Sequence, residues 1–221
     1  MMIKENLDYI QSLVPEHVTL VAVSKTKPIS MIEEAYACGQ RIFGENRAQE
    51  LQEKEAALPK DIEWHMIGHL QRNKVKYIAP FVALIHGVDS FKLLNEINKE
   101  GKKNNRTIPV LLQFHIAQES TKFGFDLEEA VQMLESSALK ALQNITIKGV
   151  MGMATFTSDQ RLVREEFQDL KNIFKQLKES HFSNNEDFKE ISMGMSGDFE
   201  TAIAQGSTMV RVGSSIFGAR N

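Results

Sequence analysis

The sequence predicts a closed (β/α)8 TIM barrel with an extra N-terminal helix. Eight short apolar, strand-like runs alternate with helix-like segments along the chain, the rhythm of a parallel sheet covered by helices. Polar residues gather where these runs end, at the C-terminal side of the strands, the side on which barrel enzymes build their sites. The first run is followed by SKTKP rather than by a glycine-rich phosphate turn, which weighs against the competing architecture, an open doubly wound sheet. The chain has 221 residues, toward the short end for a barrel, so the loops must be short. No Gly/Ser/Pro-rich linker divides it, and residues 1–221 read as one domain.

The elements follow in order. Residues 3–13 form a short amphipathic helix. Residues 18–25 are apolar and rich in β-branched side chains, as befits a strand buried on both faces. Later strand-like runs are 41–46 (RIFGEN), 63–68 (EWHMIG), 82–89 (VALIHGVD), 108–116 (IPVLLQFHI), 145–153 (ITIKGVMGM), 190–195 (EISMGM) and 208–213 (TMVRVG). Helices are expected over 29–38, 47–57, 71–79, 90–103, 127–141, 160–180 and 198–205. Asp126 and Asp159 suit N-caps, and Gly39 and Gly206 stand where a C′ glycine belongs.

Composition narrows the function. The net charge is −3, which recommends neither nucleic acid nor an anionic membrane as partner. The single cysteine, Cys38, excludes an intrachain disulfide and reads as a small buried hydrophobe. The opening MMIKENLDYIQSLV is too polar for a signal peptide, and no apolar run approaches the roughly 20 residues of a membrane span. A cytoplasmic protein is expected, and a monomer, since no long exposed apolar stripe stands out.

Strand alternation puts Thr19, Val21, Val23 and Lys25 on one face of the first strand. Two readings of Lys25 stand side by side: an amine snorkelling at a strand end, or a partly desolvated amine able to form a Schiff base. The seventh run ends in Met195–Ser196–Gly197–Asp198 and the eighth in Gly213–Ser214–Ser215, two small donor-rich turns. Barrels commonly bind phosphate in these two loops, although each turn is equally an ordinary strand-to-helix connection. Arg211 shares its strand face with Met209 and Gly213. If that face is the interior, Arg211 and Lys25 approach each other on adjacent strands, and an anionic ligand would relieve them. The plainer alternative is a pairing of Arg211 with Glu45 or Asp198. His65 and His69 lack the glutamate of a zinc-protease helix, so no metal site is expected. The methionines at 151, 153, 193 and 195 read as core, and the charges of LQEKEAALPKD as a solvated helix face.

Seven stretches in order resemble the pyridoxal phosphate homeostasis proteins: AVSKTKP (22–28), FGENRAQE (43–50), WHMIGHLQRNK (64–74), ESTKFG (119–124), KGVMGM (148–153), MGMSGDFETAI (193–203) and GSTMVRVGSSIFGAR (206–220). The resemblance implies a barrel like the N-terminal domain of alanine racemase and the cofactor pyridoxal 5′-phosphate. It implies Lys25 as the internal-aldimine lysine and Asn46 beside the cofactor ring. Ser196 and Gly197, with Gly213 and Ser214, match its phosphate-binding turns; many members have Thr at the last of these. Arg211 matches the arginine facing the pyridine nitrogen. Phe123 stands where many members carry a small residue.

A cation beside the pyridine nitrogen opposes its protonation and weakens the ring as an electron sink. Racemases with such an arginine use a second base, often a tyrosine from another domain. Here Tyr9, Tyr36 and Tyr77 all fall in expected helices. The expectation is therefore a non-catalytic carrier acting in vitamin B6 balance, with PLP-dependent apo-enzymes as possible recipients. The rivals are a racemase or decarboxylase using the same lysine, and a cofactor-free Schiff-base aldolase.

Overall fold

A computed structural model describes residues 3–118 and 123–219. Residues 119–122 of ESTKFG, and residues 1, 2, 220 and 221, lie outside the described residues. The eight expected strands are all present: β1 (Thr19–Val23), β2 (Ile42–Glu45), β3 (Glu63–Met66), β4 (Leu84–Val88), β5 (Ile108–Gln113), β6 (Ile145–Met151), β7 (Glu190–Met195) and β8 (Met209–Val212). They pair in parallel in sequence order, and β8 returns to β1 to close the barrel. The closing register pairs Val21 with Arg211 and Ala22 with Val212.

The helices are α1 (Ile3–Leu13), α2 (Ile29–Ala37), α3 (Ala48–Ala57), α4 (Val75–Ile78), α5 (Phe91–Lys103), α6 (Leu127–Glu135), α7 (Ser137–Lys140), α8 (Gln160–Ser180), α9 (Phe199–Ala204) and α10 (Ser214–Phe217). The extra helix α1 packs on α2 and α10, where the ring of outer helices closes. Its Asn6 amide donates to the Ile216 carbonyl at 2.9 Å. Asp126 caps α6 through a reciprocal box with Glu129, and Asp159 accepts from the Arg161 and Leu162 amides at the start of α8.

The structure differs from expectation in a few places. The helix expected over 127–141 breaks at Ser136, which adopts an extended conformation and caps α7 by accepting from the Leu139 amide. Serine competes with the helix for backbone bonds in this way. The expected 71–79 helix opens with a 3-10 turn over Arg72–Lys74. Cys38 is half-buried rather than buried. Met151 and Met193 are core, but Met153 is 41% exposed. No helix among the described residues is long and apolar enough to cross a membrane.

The barrel interior is layered. At its base Val21, Leu84, Leu111, Met151 and Met209 form a small apolar cluster, separate from the larger core between sheet and helices. Above them runs a buried polar chain. His65 Nδ1 lies 3.0 Å from His86 Nε2, and His86 Nδ1 lies 2.9 Å from Ser192 Oγ. Ser192 Oγ in turn accepts from Arg211 at 2.5 Å. Members come from β3, β4, β7 and β8, so the chain crosses the lumen. Burial holds the His65 imidazole down to about pKa 3, and burial with the charges of His65 and Arg211 holds His86 well below its ordinary value.

These depressed values have a stability consequence. An unfolded histidine takes a proton near pH 6.5, whereas the folded pair stays neutral, so unfolding is increasingly favoured as pH falls below about 6.5. The slope is at most about 1.4 kcal/mol per pH unit for each histidine. Glu45 and Asp198, whose carboxyls burial pushes up, titrate in the opposite sense and offset part of the fall. Chemical denaturation of the apo-protein should show at least about 1 kcal/mol less stability near pH 5 than near pH 7. Equal stability at the two values would contradict neutral buried histidines.

Candidate functional site

Above the polar layer the barrel opens into a cavity of about 380 Å³ at the C-terminal ends of the strands, a size suited to a small ligand. All seven residues singled out in the sequence, Lys25, Asn46, Ser196, Gly197, Arg211, Gly213 and Ser214, line it.

Lys25 is half-buried and follows β1 directly. The turn that carries it is held from outside the barrel. Lys54, on α3 and 5% exposed, donates to the Ser24 carbonyl at 2.8 Å, to Glu45 at 2.8 Å and to Glu50 at 2.7 Å. The Ser24 hydroxyl donates to the same Glu45 oxygen at 2.6 Å. Glu50 accepts the Thr26 amide at 2.6 Å, and Thr26 sits at φ 64, a left-handed conformation that a β-branched residue adopts only when held there. Both neighbours of Lys25 are thus fixed by one buried ionic cluster. Burial pushes the Glu45 carboxyl up, and the Lys54 ammonium pulls it back.

Asn46 is seated by Gly68 on the neighbouring β3 loop. A Cβ at Gly68 would stand 2.6 Å from the Asn46 carbonyl oxygen and 3.0 Å from its Cβ, so only glycine permits this approach. At the opposite rim the Gly213 amide donates to Ser196 Oγ at 3.0 Å, joining the turns after β7 and β8. That bond uses a lone pair of Ser196 and leaves its proton available. The amides of Ser214 and Ser215 lie in the first turn of α10, which offers them no partner of its own. Gly197 borders open space, since an added Cβ would meet nothing within 4 Å.

Arg211 is 4% exposed, and burial pulls its pKa down to about 10. Its guanidinium donates to Ser192 Oγ and, at 3.0 Å, to the Gly152 carbonyl. The carboxylate pairing weighed as the alternative for Arg211 is absent among the described residues. Glu45 points to the outer side of the sheet and pairs with Lys54. Asp198 lowers the local potential, but its Oδ1 accepts the Met195 amide at 2.5 Å. Among the described residues lining the cavity, Lys25, Lys27 and Arg211 are the basic side chains and Asp198 the carboxylate.

Some lining residues escaped the sequence reading. The loop after β6 contributes Met153, Thr155 and Phe156. Buried Glu166 of α8 ties this loop to the loop after β5, accepting from the Thr155 amide at 2.7 Å and the Gln118 amide at 3.0 Å. The position of this loop at a strand's C-terminal end was the available signal. Lys54 gave none: its Glu50 partner at i,i+4 has the spacing of any solvated helix pair. Tyr9, Tyr36 and Tyr77 sit on α1, α2 and α4, as expected.

The chain matches the family of the alanine racemase N-terminal domain over residues 2–221. A solved alanine racemase from Bartonella henselae superposes with a TM-score of 0.74 at 15% identity, over 99% of this chain and 58% of that one; the likeness is one of fold. Within this class the chain belongs to the pyridoxal phosphate homeostasis protein family. It is 40% identical to the family protein of Aquifex aeolicus over 91% of this chain and 86% of the relative, and 39% identical to that of Homo sapiens over 91% and 76%. PipY of Synechococcus elongatus, solved with PLP bound, superposes with a TM-score of 0.87 at 34% identity, covering 98% of this chain and 100% of that one.

The ionic cluster behind Lys25 supplies a test. Lys54→Met should destabilise the protein by about 3–5 kcal/mol, the cost of leaving a buried partner charge uncompensated. Adding Glu45→Gln should recover part of that loss. Denaturant titration measures both, and a single-variant loss below about 1 kcal/mol would deny that Lys54 neutralises Glu45.

Proposed function

We propose that this chain binds pyridoxal 5′-phosphate in the barrel mouth and serves the cell's PLP balance without catalytic turnover. The observation that carries the reading is the placement of Lys25 and Arg211 around one cavity whose rim is formed by the joined Ser196 and Gly213 turns. The residues fit the group. Arg211 and Lys27 in the lining favour an anion, and the open space at Gly197 with the donors of Ser196 and Ser214 suits a phosphate. When bound, the cofactor supplies an aldehyde that condenses with a primary amine and a pyridine ring that draws electron density.

The residues divide the work. Lys25 is the amine that holds the aldehyde. Ser196, Gly197, Gly213 and Ser214 hold the phosphate, and Asn46 flanks the ring. Arg211 faces the ring nitrogen, where a cation disfavours protonation. Racemisation needs proton donors and acceptors on both faces of a substrate. Glu45 and His65, which could be weighed for the second face, are both buried, and neither lines the cavity. Asp198 is committed to the Met195 amide. This arrangement supports retention of the cofactor over turnover. The whole chain, residues 1–221, acts as one monomeric PLP-binding domain in the cytoplasm, and PLP-dependent apo-enzymes receive the cofactor from it.

Borohydride reduction of the PLP-loaded protein followed by peptide mass mapping should place a pyridoxyl group on Lys25. In Ser196→Ala/Ser214→Ala, loss of two charge-assisted bonds worth about 1.5–3 kcal/mol each should weaken PLP retention at least roughly tenfold. A label on Lys27, or unchanged retention in the double variant, would overturn the assignment.

A further inference from the structure

The buried chain behind Arg211 admits only one arrangement of its protons. Arginine has five N–H donors and no acceptor. The Arg211–Ser192 contact therefore consumes a lone pair of Ser192 Oγ. Ser192 is fully buried, and among the described residues Oγ has just one other hydrogen-bond partner, His86 Nδ1. If His86 donated from Nδ1, the serine proton would have no acceptor, a costly state for a buried hydroxyl. The serine must donate to Nδ1. A neutral His86 then carries its proton on Nε2 and donates to His65 Nδ1, which leaves the His65 proton on Nε2. Protonating either ring would place a second cation beside Arg211.

We infer that His65, His86 and Ser192 form a one-way hydrogen-bond relay that presents Arg211 to the cavity, and that His86 and Ser192 are positioning residues for its guanidinium. Ser192 and the Gly152 carbonyl fix the guanidinium from behind. Both are neutral acceptors, so they orient the cation without neutralising it, as a carboxylate would. Arg211 itself lines the cavity. The relay itself stands on the geometry of the protein alone. Its effect on cofactor binding rests on the function proposed above.

Two substitutions at one position separate orientation from mere packing. His86→Asn keeps an acceptor oxygen where Nδ1 stood and preserves the bond from Ser192. His86→Gln keeps a donor where Nε2 stood and loses that acceptor. Nitrogen-15 NMR of the wild-type apo-protein at neutral pH should find both His65 and His86 in the Nε2–H form. The Arg211 Nη protons should be separately resolved, as for a guanidinium whose rotation is blocked, in the wild type and in His86→Asn, and averaged in His86→Gln. PLP retention should fall several-fold in His86→Gln and stay within about twofold of wild type in His86→Asn. An Nδ1–H tautomer at either ring, or identical Arg211 spectra in the two variants, would overturn the relay. If the wild type shows the tautomers and the Arg211 signals but no affinity for PLP, the relay stands and the proposed cofactor falls.

Discussion

The rest of this structure depends on a guanidinium buried in the barrel lumen. Arg211 is almost completely withdrawn from water, and no carboxylate among the described residues is within ion-pairing range of it. Burying a charge without a direct ion pair is costly; Asp198 at longer range and neutral hydrogen bonds offset part of the cost. The Ser192 hydroxyl and the Gly152 carbonyl supply those bonds. Arg211 also lines the cavity. In the proposed complex, an anionic ligand with an electron-rich ring atom would add to these interactions.

The sheet separates two charge arrangements with opposite purposes. On its outer side, Lys54 is matched by Glu45 and Glu50, and this cluster grips the turn on either side of Lys25. On its inner side, among the described residues, basic side chains outnumber carboxylates in the cavity lining. The turn that carries Lys25 is thus held by buried ions on the outer side, while the Lys25 side chain lines the cavity on the inner side. Fixing the amine without filling the cavity favours binding, because little ordering remains to be done when the ligand arrives.

Much of this was legible in the sequence. Parallel strands buried on both faces read as apolar runs, so all eight emerged, and Asp126 and Asp159 announced their helices by cap chemistry. The seven candidate residues converged on one cavity because strand ends in a barrel share one face. Missed features depended on contacts between distant segments. Lys54 read as a solvated helix residue, and only the fold brings it against Glu45 and Ser24. His86 and Ser192, separated by 106 positions, carry no local signature of their pairing across the lumen. Met153 follows the alternation of β6 beyond the point where the sheet ends, and so was read as core.

The central claim is that this site holds pyridoxal phosphate and does not turn over amino acids with it. The most direct measurement is α-hydrogen exchange of L- and D-alanine in deuterium oxide with the PLP-loaded protein, followed by chiral analysis. The account expects neither exchange nor inversion at any rate approaching ordinary enzyme turnover, about 1–10³ s⁻¹, while the cofactor stays bound. Exchange with inversion in that range would contradict it.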